Sequence, residues 1–297
     1  MTVTSTSAPT DEPERRYRER IGRAVAAIVA DPLAEHTLES LAALAHFSPF
    51  HFHRIYSGVI GETVAATVRR LRLARAAQAL AVGRDSVTQV ALASGYTSPQ
   101  AFSRAFRDFA GLTPRAFQRQ RGLGGLGAAA PLGERSSEAP EALAVDVIER
   151  GPQRVHALVH RGPASTIPHT WWRLMRIAAR WPVRARVGIG SGDGSDAGTS
   201  PDGGFRYHAA VALDGDPPAT RLPLKAIDLP GGRYSRHALI GPYTQIDVAI
   251  SALYASWLPH SGYEPDDRPL LQLYHSPHDT PAHQLRTDLL LPIRPLE

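Results

Sequence analysis

The chain has 297 residues, of which 43% are hydrophobic and 21% are charged. This is about twice the usual length of a single domain, so two domains are expected. The absence of cysteine excludes a disulfide scaffold, thiol catalysis and metal sites built on thiolates. No stretch approaches the roughly 20 apolar residues that cross a bilayer, and the N-terminus lacks the apolar run of a signal peptide. We therefore expect a cytoplasmic protein without membrane contact.

The excess positive charge is confined to the first part of the chain. Residues 1–122 contain 16 arginines and 10 acidic residues, whereas the remainder has 17 basic and 18 acidic residues. The net charge is therefore +6 for residues 1–122 and −1 for the remainder. The boundary is a Gly-, Ala- and Ser-rich stretch at 122–141, which is typical of a linker. The basic part favours an anionic partner such as nucleic acid, although a solvated helix face would carry the same charge.

The basic part contains an internal repeat of 50 residues. Each copy predicts a short helix, a tight turn and a second helix that a serine caps and a proline begins. A long helix from Thr63 to about Gly83 separates the two copies. This pattern predicts an all-α domain with two helix-turn-helix units, whose second helices fit the major groove of DNA. The matching pairs are Ser48-Pro49 with Ser98-Pro99, Phe52 with Phe102, Arg54 with Arg104, Tyr56 with Phe106, Gly61 with Gly111 and Thr63 with Thr113.

Helical spacing divides the residues of the two second helices between an inner and an outer face. The inner faces are predicted to hold Phe52, Ile55 and Tyr56 in the first unit, and Phe102, Ala105 and Phe106 in the second. The outer faces are predicted to hold Phe50, His51, His53 and Arg54 in the first unit, and Pro99, Gln100, Ser103 and Arg104 in the second.

Residues 16–120 resemble the DNA-binding domain of the AraC/XylS family of transcription activators, most closely in the stretch GYTSPQAFSRAFRDFAGLTPRAFQRQ. The resemblance implies that both outer faces contact bases or the groove. Arg54 and Arg104 can bind guanine through the guanidinium fork, and Gln100 can pair with adenine. The arginines expected to bind phosphates or to stay solvated are Arg107, Arg69, Arg70 and Arg72. The implied DNA-binding set is Phe50, His51, His53, Arg54, Pro99, Gln100, Ser103, Arg104 and Arg107.

The second part of the chain contains a repeat of 79 residues. Gly162-Pro163 recurs as Gly241-Pro242, and each copy then enters a helix that lies between strand-like segments. This repeat predicts an α+β domain of two βαββ modules, which share one sheet around a pseudo-twofold axis. The cleft between such halves is a natural site for a small molecule. The Gly- and Asp-rich patch at 190–204 is interpreted as a surface loop because it lacks the phosphate-loop pattern.

Residues 144–294 are similar to GyrI-like effector-binding domains, through His160 to Pro163, Gly241-Pro242-Tyr243, SWLPHSGYEP and LRTDLLLPI. The resemblance implies a small-molecule effector. In that family a glutamate commonly stands two residues before a tyrosine and helps to bind cationic aromatic effectors, whereas this chain has Gln272 before Tyr274. Neutral and anionic ligands therefore stay open. The predicted ligand-binding residues are Trp171, Tyr207, Trp257, Gln272 and Tyr274, although an ordinary core position is the favoured interpretation of each aromatic taken singly.

We predict a multidomain protein with a disordered tail (1–15), a DNA-binding domain (16–121), a linker (122–141) and an effector-binding domain (142–297). Its function would be transcription regulation, with promoter DNA, a small-molecule effector and RNA polymerase as partners. No cofactor, metal or catalytic residue is expected, since Gln272 replaces a general base. Two alternatives stay open: a GyrI-like hydrolase fused to a DNA-binding domain, and a DNA-topology or gyrase-interacting protein.

Overall fold

A computed structural model describes residues 12–119, 143–191, 206–214, 224–277 and 279–296. The linker predicted at 122–141 and most of the patch at 190–204 lie outside the described residues. Residue contacts divide the chain into two units, one within Arg18–Ser137 and the other within Glu138–Glu297 together with Met1–Tyr17. The first helix begins at Glu12, four residues before the predicted start of the first domain. Glu12 accepts hydrogen bonds from Arg15 and Arg16, which satisfy its carboxylate within the first turns.

The helical unit contains the two predicted helix-turn-helix pairs. The first pair is α2 and α3, the second is α5 and α6, and α4 is the long helix between them. The bipartite all-α arrangement predicted from the 50-residue repeat is confirmed. The helices are α1 (Glu12–Ala30), α2 (Leu38–Ala45), α3 (Pro49–Ile60), α4 (Val64–Val82), α5 (Val87–Ala93), α6 (Pro99–Ala110) and α7 (Pro114–Arg119).

Hydroxyl caps set the starts of these helices, as the sequence predicts. The Oγ of Ser48 accepts a hydrogen bond from the backbone N–H of His51, and the Oγ of Ser98 accepts one from Ala101. The two turns use different residues in the left-handed region: His46 has φ 54° in the first turn, and Gly95 has φ 81° in the second. The two units are therefore similar in their helices and different in the tight turn.

Two aromatic clusters anchor the second helices of the two units. In α3 the rings of Phe52 and Tyr56 are buried, with 5.5 Å between their centroids. In α6 the rings of Phe102 and Phe106 are buried in the same relation, also 5.5 Å apart. The predicted inward orientation of these four residues is confirmed. Each second helix is therefore held in place by aromatic packing within its own unit.

The second unit is an antiparallel sheet that carries two helices. The prediction of two related modules sharing one sheet is confirmed. Its elements are β1 (Asp146–Arg150), β2 (Gln153–His160), α8 (Ile167–Ala178), β3 (Val183–Ser191), β4 (Arg206–Leu213), β5 (Lys225–Leu229), β6 (Gly232–Ile240), α9 (Ile246–Ala252), β7 (Tyr263–Pro265), β8 (Leu270–Tyr274) and β9 (Arg286–Pro295). A π-helical segment, Leu253–Trp257, continues α9.

The strand order is β1-β6-β9-β8-β3-β4-β2-β5, with β7 paired to β9. Strands β1, β2, β3 and β4 of the first half correspond to β5, β6, β8 and β9 of the second half. With this correspondence, the strand order is the same from either edge of the sheet. The pseudo-twofold axis therefore lies between β3 and β8. Each βαββ module is preceded by one strand that the sequence did not predict. That strand pairs with the opposite module, β1 with β6 and β5 with β2. The two halves are therefore tied together by exchanged edge strands.

Arg268 attaches the loop between β7 and β8 to the start of β6. Its guanidinium donates hydrogen bonds to the carbonyls of Gly231 and Arg233 at 3.0 and 2.8 Å, lies 4.6 Å from the Tyr234 ring centroid and pairs with Asp266. The carbonyl oxygens and the ring face are the groups that a smaller side chain would leave without a partner.

We expect Arg268→Ala to lower the free energy of unfolding of this unit by about 2 kcal/mol, because partly buried carbonyl groups lose their donors and the packing on Tyr234 is lost. Chemical denaturation followed by tryptophan fluorescence would measure this loss. Arg286→Ala is the matched control, since Arg286 is exposed and lies 3.7 Å from Asp288, and its loss should stay below about 1 kcal/mol. Equal losses from the two variants would contradict the role assigned to Arg268.

Candidate functional site

Helix α6 presents one polar face to solvent. Gln100, Arg104 and Arg107 are exposed, whereas Pro99 and Ser103 are half-buried. Residues 100, 103, 104 and 107 lie within an arc of about 100° around the helix. Within the described part of the chain, no carboxylate pairs with Arg104 or Arg107. This face can donate hydrogen bonds to base edges and phosphates without first breaking an ion pair.

Helix α3 presents a narrower face than predicted. Phe50, His53 and Arg54 are half-buried, and the Arg54 guanidinium carbon lies 5.7 Å from the centroid of the Phe50 ring. The outward orientation predicted for His51 is wrong, because its side chain is only 3% exposed. His51 lies about 40° around the helix from the buried Ile55, so the buried arc is wider than the three apolar residues indicate.

Two arginines of α4 that were expected to be available, Arg70 and Arg72, have structural partners. Arg70 forms a 2.9 Å ion pair with Glu62, and the Nε of Arg72 donates to the carbonyl of Pro32 at 2.6 Å. The expectation that both bind phosphate or stay solvated is wrong, because these contacts attach α4 to the loops before it. Arg69 is exposed, so it can still bind a phosphate or stay solvated.

Four of the five predicted ligand-binding residues come together where α8 covers strands β4 and β8. The indole N–H of Trp171 donates to the Tyr207 hydroxyl at 2.9 Å, and the two tyrosine hydroxyls of Tyr207 and Tyr274 are 3.0 Å apart. The Tyr274 hydroxyl donates to Oε1 of Gln272 at 2.5 Å. The donors therefore run in one direction, from Trp171 through Tyr207 and Tyr274 to Gln272. We call these four residues the aromatic network.

Two aromatic residues change the predicted outline of this site. The Tyr243 ring lies 5.2 Å from the Tyr274 ring at 84°, although the sequence did not single it out as a wall. Tyr243 is part of the Gly241-Pro242-Tyr243 motif, so that motif was the available signal. Trp257 instead stacks on Tyr263, with 6.4 Å between centroids and 13° between planes. Its place as a ligand-binding residue stays a prediction, and the described ring contact of Trp257 is with Tyr263.

Glycine makes room for the aromatic network on the central strand β3. A Cβ atom on Gly188 would lie 2.6 Å from the Tyr207 hydroxyl and 3.0 Å from Oε1 of Gln272. Gly188 pairs with Gln272 across the sheet, and Gly190 pairs with Tyr207. A side chain at 188 would therefore displace the hydroxyl and amide groups that the network depends on.

The environment of the network raises the pKa of both hydroxyl groups. Burial raises the pKa of Tyr207 to about 12, against the lowering effect of its hydrogen bonds with Tyr274 and Trp171. Burial, with the neighbouring Tyr207 hydroxyl, raises the pKa of Tyr274 well above 10. Both phenols are therefore neutral hydrogen-bonding groups near pH 7, and neither is poised to act as a base.

We expect the unit to lose stability above pH 10. The unfolded chain ionises its tyrosines near pH 10, whereas folded Tyr207 keeps its proton up to about pH 12. The stabilisation is therefore complete below pH 10, and Tyr207 accounts for a loss of about 3 kcal/mol as the pH rises from 10 to 12. Denaturation at fixed pH values would measure the loss, and Tyr207→Phe should make the curve flatter. The same slope in both proteins would contradict the assignment.

The described residues give little support to other kinds of site. Within these ranges, no group of three or more histidine, aspartate or glutamate side chains could hold a metal ion. Among the helices that the structure describes, none has the length and apolar character needed to span a membrane.

The fold defines a class of two-part proteins, with a paired helix-turn-helix unit followed by a pseudo-symmetric α+β unit. Residues 143–294, slightly more than half of the chain, match the GyrI-like small molecule binding domain, and the chain belongs to that family. Residues 41–120 match a helix-turn-helix domain, and the relatives of this part are AraC-family regulators.

Relatives and solved structures cover parts of the chain. The transcriptional regulator Rob of Salmonella typhimurium is 31% identical over 96 residues, which are 32% of this chain and 33% of Rob. The MmsAB operon regulatory protein of Pseudomonas aeruginosa is 39% identical over 92 residues, which are 31% of this chain and 30% of that protein. A solved AraC-type regulator from Chromobacterium violaceum is 27% identical, covers 36% of this chain and 96% of its own, and has a TM-score of 0.35. The chain thus spans about a third of the length of these curated relatives.

Proposed function

We propose that the protein is a transcription regulator that binds promoter DNA through α3 and α6 and binds a small molecule through its GyrI-like unit. The observation that carries this proposal is the repeated helix-turn-helix pair, in which α6 exposes Gln100, Arg104 and Arg107 on one arc. Two such helices on one chain can read two successive segments of the major groove. A dimer is then not required to form a binding site.

The roles of the individual side chains follow from their exposure. Arg104 and Gln100 lie in the first two turns of α6, where recognition helices contact base edges. Arg107 lies one turn later and is assigned to phosphate. In α3, Arg54, Phe50 and His53 form the smaller contact surface. Pro99 and Ser103 line the half-buried edge of α6, and His51 is assigned to packing.

The aromatic network is proposed to form a wall of the effector site. Trp171 and Tyr274 are half-buried, so their rings remain partly accessible beside the exposed Tyr243. The network offers aromatic surface and a neutral amide, and Tyr274 donates to Gln272 where the family commonly has a carboxylate. Burying a cation beside a neutral amide costs more free energy than burying it beside a carboxylate, because the amide has no negative charge to compensate the cation. An uncharged aromatic molecule is therefore the effector class that these contacts favour.

We assign no catalytic role to this site. Hydrolysis would need a base near a reactive molecule, and Tyr274 is held neutral by burial and is hydrogen-bonded to an amide. RNA polymerase is the further partner expected of an activator, and the cytoplasm is the compartment in which promoter DNA is reached.

Selection of bound sequences from a random duplex library tests the proposal. The full-length protein would be used near physiological salt, with and without a mixture of neutral, anionic and cationic aromatic compounds. Enrichment of two half-elements about one helical turn apart is expected, together with a change in enrichment when an effector is present. If no sequence is enriched in any condition, specific DNA binding is refuted.

A further inference from the structure

Helix α8 of the GyrI-like unit has an exposed face that carries only positive charge. Its buried face packs on the sheet through Leu174 and Ala178. The segment from Ile167 to Pro182 contains no aspartate or glutamate. We call the exposed residues Trp172, Arg173, Arg176 and Arg180 the basic face.

Ion pairing separates the basic face from the other arginines of this unit. Seven strand and loop arginines lie beside carboxylates, whereas Arg150 and Arg186 donate to the Gln153 side chain and to the carbonyl of Ser276. Within the described ranges, no carboxylate pairs with Arg173, Arg176 or Arg180, and the Arg176 guanidinium carbon instead lies 4.6 Å from the centroid of the exposed Trp172 ring. The paired arginines are Arg154, Arg184, Arg233, Arg236, Arg268, Arg286 and Arg294.

The internal repeat supplies a comparison for this face. In α9 and the turns after it, the positions 79 residues later than Trp172, Arg173, Arg176 and Arg180 are Ser251, Ala252, Ala255 and Pro259. The module therefore folds without a cationic stripe at these positions. The second module forms its helix and the following turns with small neutral residues at these positions. The charge of the basic face is therefore not required for a module of this kind to fold.

We propose that the basic face binds the phosphate backbone of duplex DNA outside the bases read by α3 and α6. Arg173, Arg176 and Arg180 are spaced by three and four residues, so they form a stripe about 10 Å long on one side of the helix and its last turn. Guanidinium groups bind phosphate oxygens through a planar fork. An exposed indole can pack on the sugar edge beside them. An acidic protein surface would satisfy the same charges.

DNA is preferred over an acidic protein because the chain carries its own DNA-binding unit. This choice rests on the proposed function. Once α3 and α6 hold a duplex, covalent linkage raises the local concentration of that DNA around the second unit, so weak phosphate contacts can form. Such contacts carry no base preference and add to affinity and to its salt dependence.

The test compares full-length variants on a selected site with about 20 flanking base pairs on each side. The triple variant Arg173→Gln/Arg176→Gln/Arg180→Gln should bind this duplex about 10- to 100-fold more weakly, and its salt slope should fall by about 2 to 3. The ranking of different sites should stay unchanged. On a duplex trimmed to the selected site, the variant and the wild type should bind alike. The variant Arg173→Lys/Arg176→Lys/Arg180→Lys should keep most of the wild-type slope, because lysine keeps the charge.

The matched control is Arg154→Gln/Arg184→Gln/Arg233→Gln, which removes the same charge from arginines already paired with carboxylates. Its salt slope should change by less than about 1. If the wild type binds its site specifically and the basic-face variant keeps the full affinity and slope, the DNA assignment is overturned and an acidic protein partner becomes the better account. If the wild type shows no specific binding, the proposed function itself fails.

Discussion

Arg104→Ala is expected to weaken binding of the selected DNA site by about 1–3 kcal/mol, a loss of roughly 5- to 150-fold, and to relax selectivity at one base pair. The reason is that Arg104 is exposed on the first half of α6, above the buried Phe102 and Phe106 that fix the helix. Its guanidinium can therefore meet a guanine edge from a rigid support. Competition between the selected site and its single-base variants would measure both effects.

Arg107→Ala is the matched control for this experiment. Arg107 has the same charge, helix and exposure, but it lies nearly one turn closer to the C-terminus. Its removal should weaken binding to selected and random DNA alike and reduce the salt slope by about 1. If both variants lost the same affinity on selected and random duplexes, the assignment of Arg104 to a base would be refuted. Arg54→Ala in α3 should behave like Arg104→Ala at the other half-element.

Gln272→Glu is expected to change the charge preference of the effector site. A carboxylate beside the Tyr274 hydroxyl would place a negative charge next to the partly accessible Trp171 and Tyr274 rings. At about 5 Å and an effective dielectric constant near 20, attraction to a bound cation is worth roughly 3 kcal/mol before desolvation. We expect about 10- to 100-fold tighter binding of a cationic aromatic dye and weaker or unchanged binding of its uncharged analogue.

Fluorescence titration of the two dyes against the full-length variants would measure these affinities. Gln284→Glu is the control, because it adds the same charge at an exposed turn and should leave both affinities within about twofold. Thermal unfolding of Gln272→Glu checks that the buried carboxylate is tolerated. A folded variant with an unchanged ratio between the dyes would exclude Gln272 as a residue that contacts the effector.

The tertiary structure decided which of the predicted arginines and histidines could reach a ligand. His51 is buried although the spacing places it outside, and Arg70 and Arg72 contact Glu62 and the carbonyl of Pro32. These contacts bring together residues between 8 and 40 positions apart. Helical periodicity describes one helix at a time, so it cannot show which neighbour covers its edge.

The same limit applies to the site in the second unit. Trp171, Tyr207, Gln272 and Tyr274 were named from residue type and resemblance, but their single chain of donors depends on the pairing of β3 with β4 and β8. The exchanged strands β1 and β5 were missed because they are short and lie at the sheet edges, where alternation between apolar and polar residues is weak. Trp257 was named with the same aromatics, but its described ring contact is with Tyr263.

The sequence by itself determined the two repeats, the helix starts and the aromatic anchors of the DNA-binding unit. Ser48 and Ser98 cap α3 and α6 through hydrogen bonds that span three residues, so the local sequence contains all the atoms involved. The aromatic network and the unpaired charge of the basic face depended on residues distant in the chain. The hydrogen-bond partners of the network, and the lack of a carboxylate among the described neighbours of the basic face, are decided only when the strands and helices pack together.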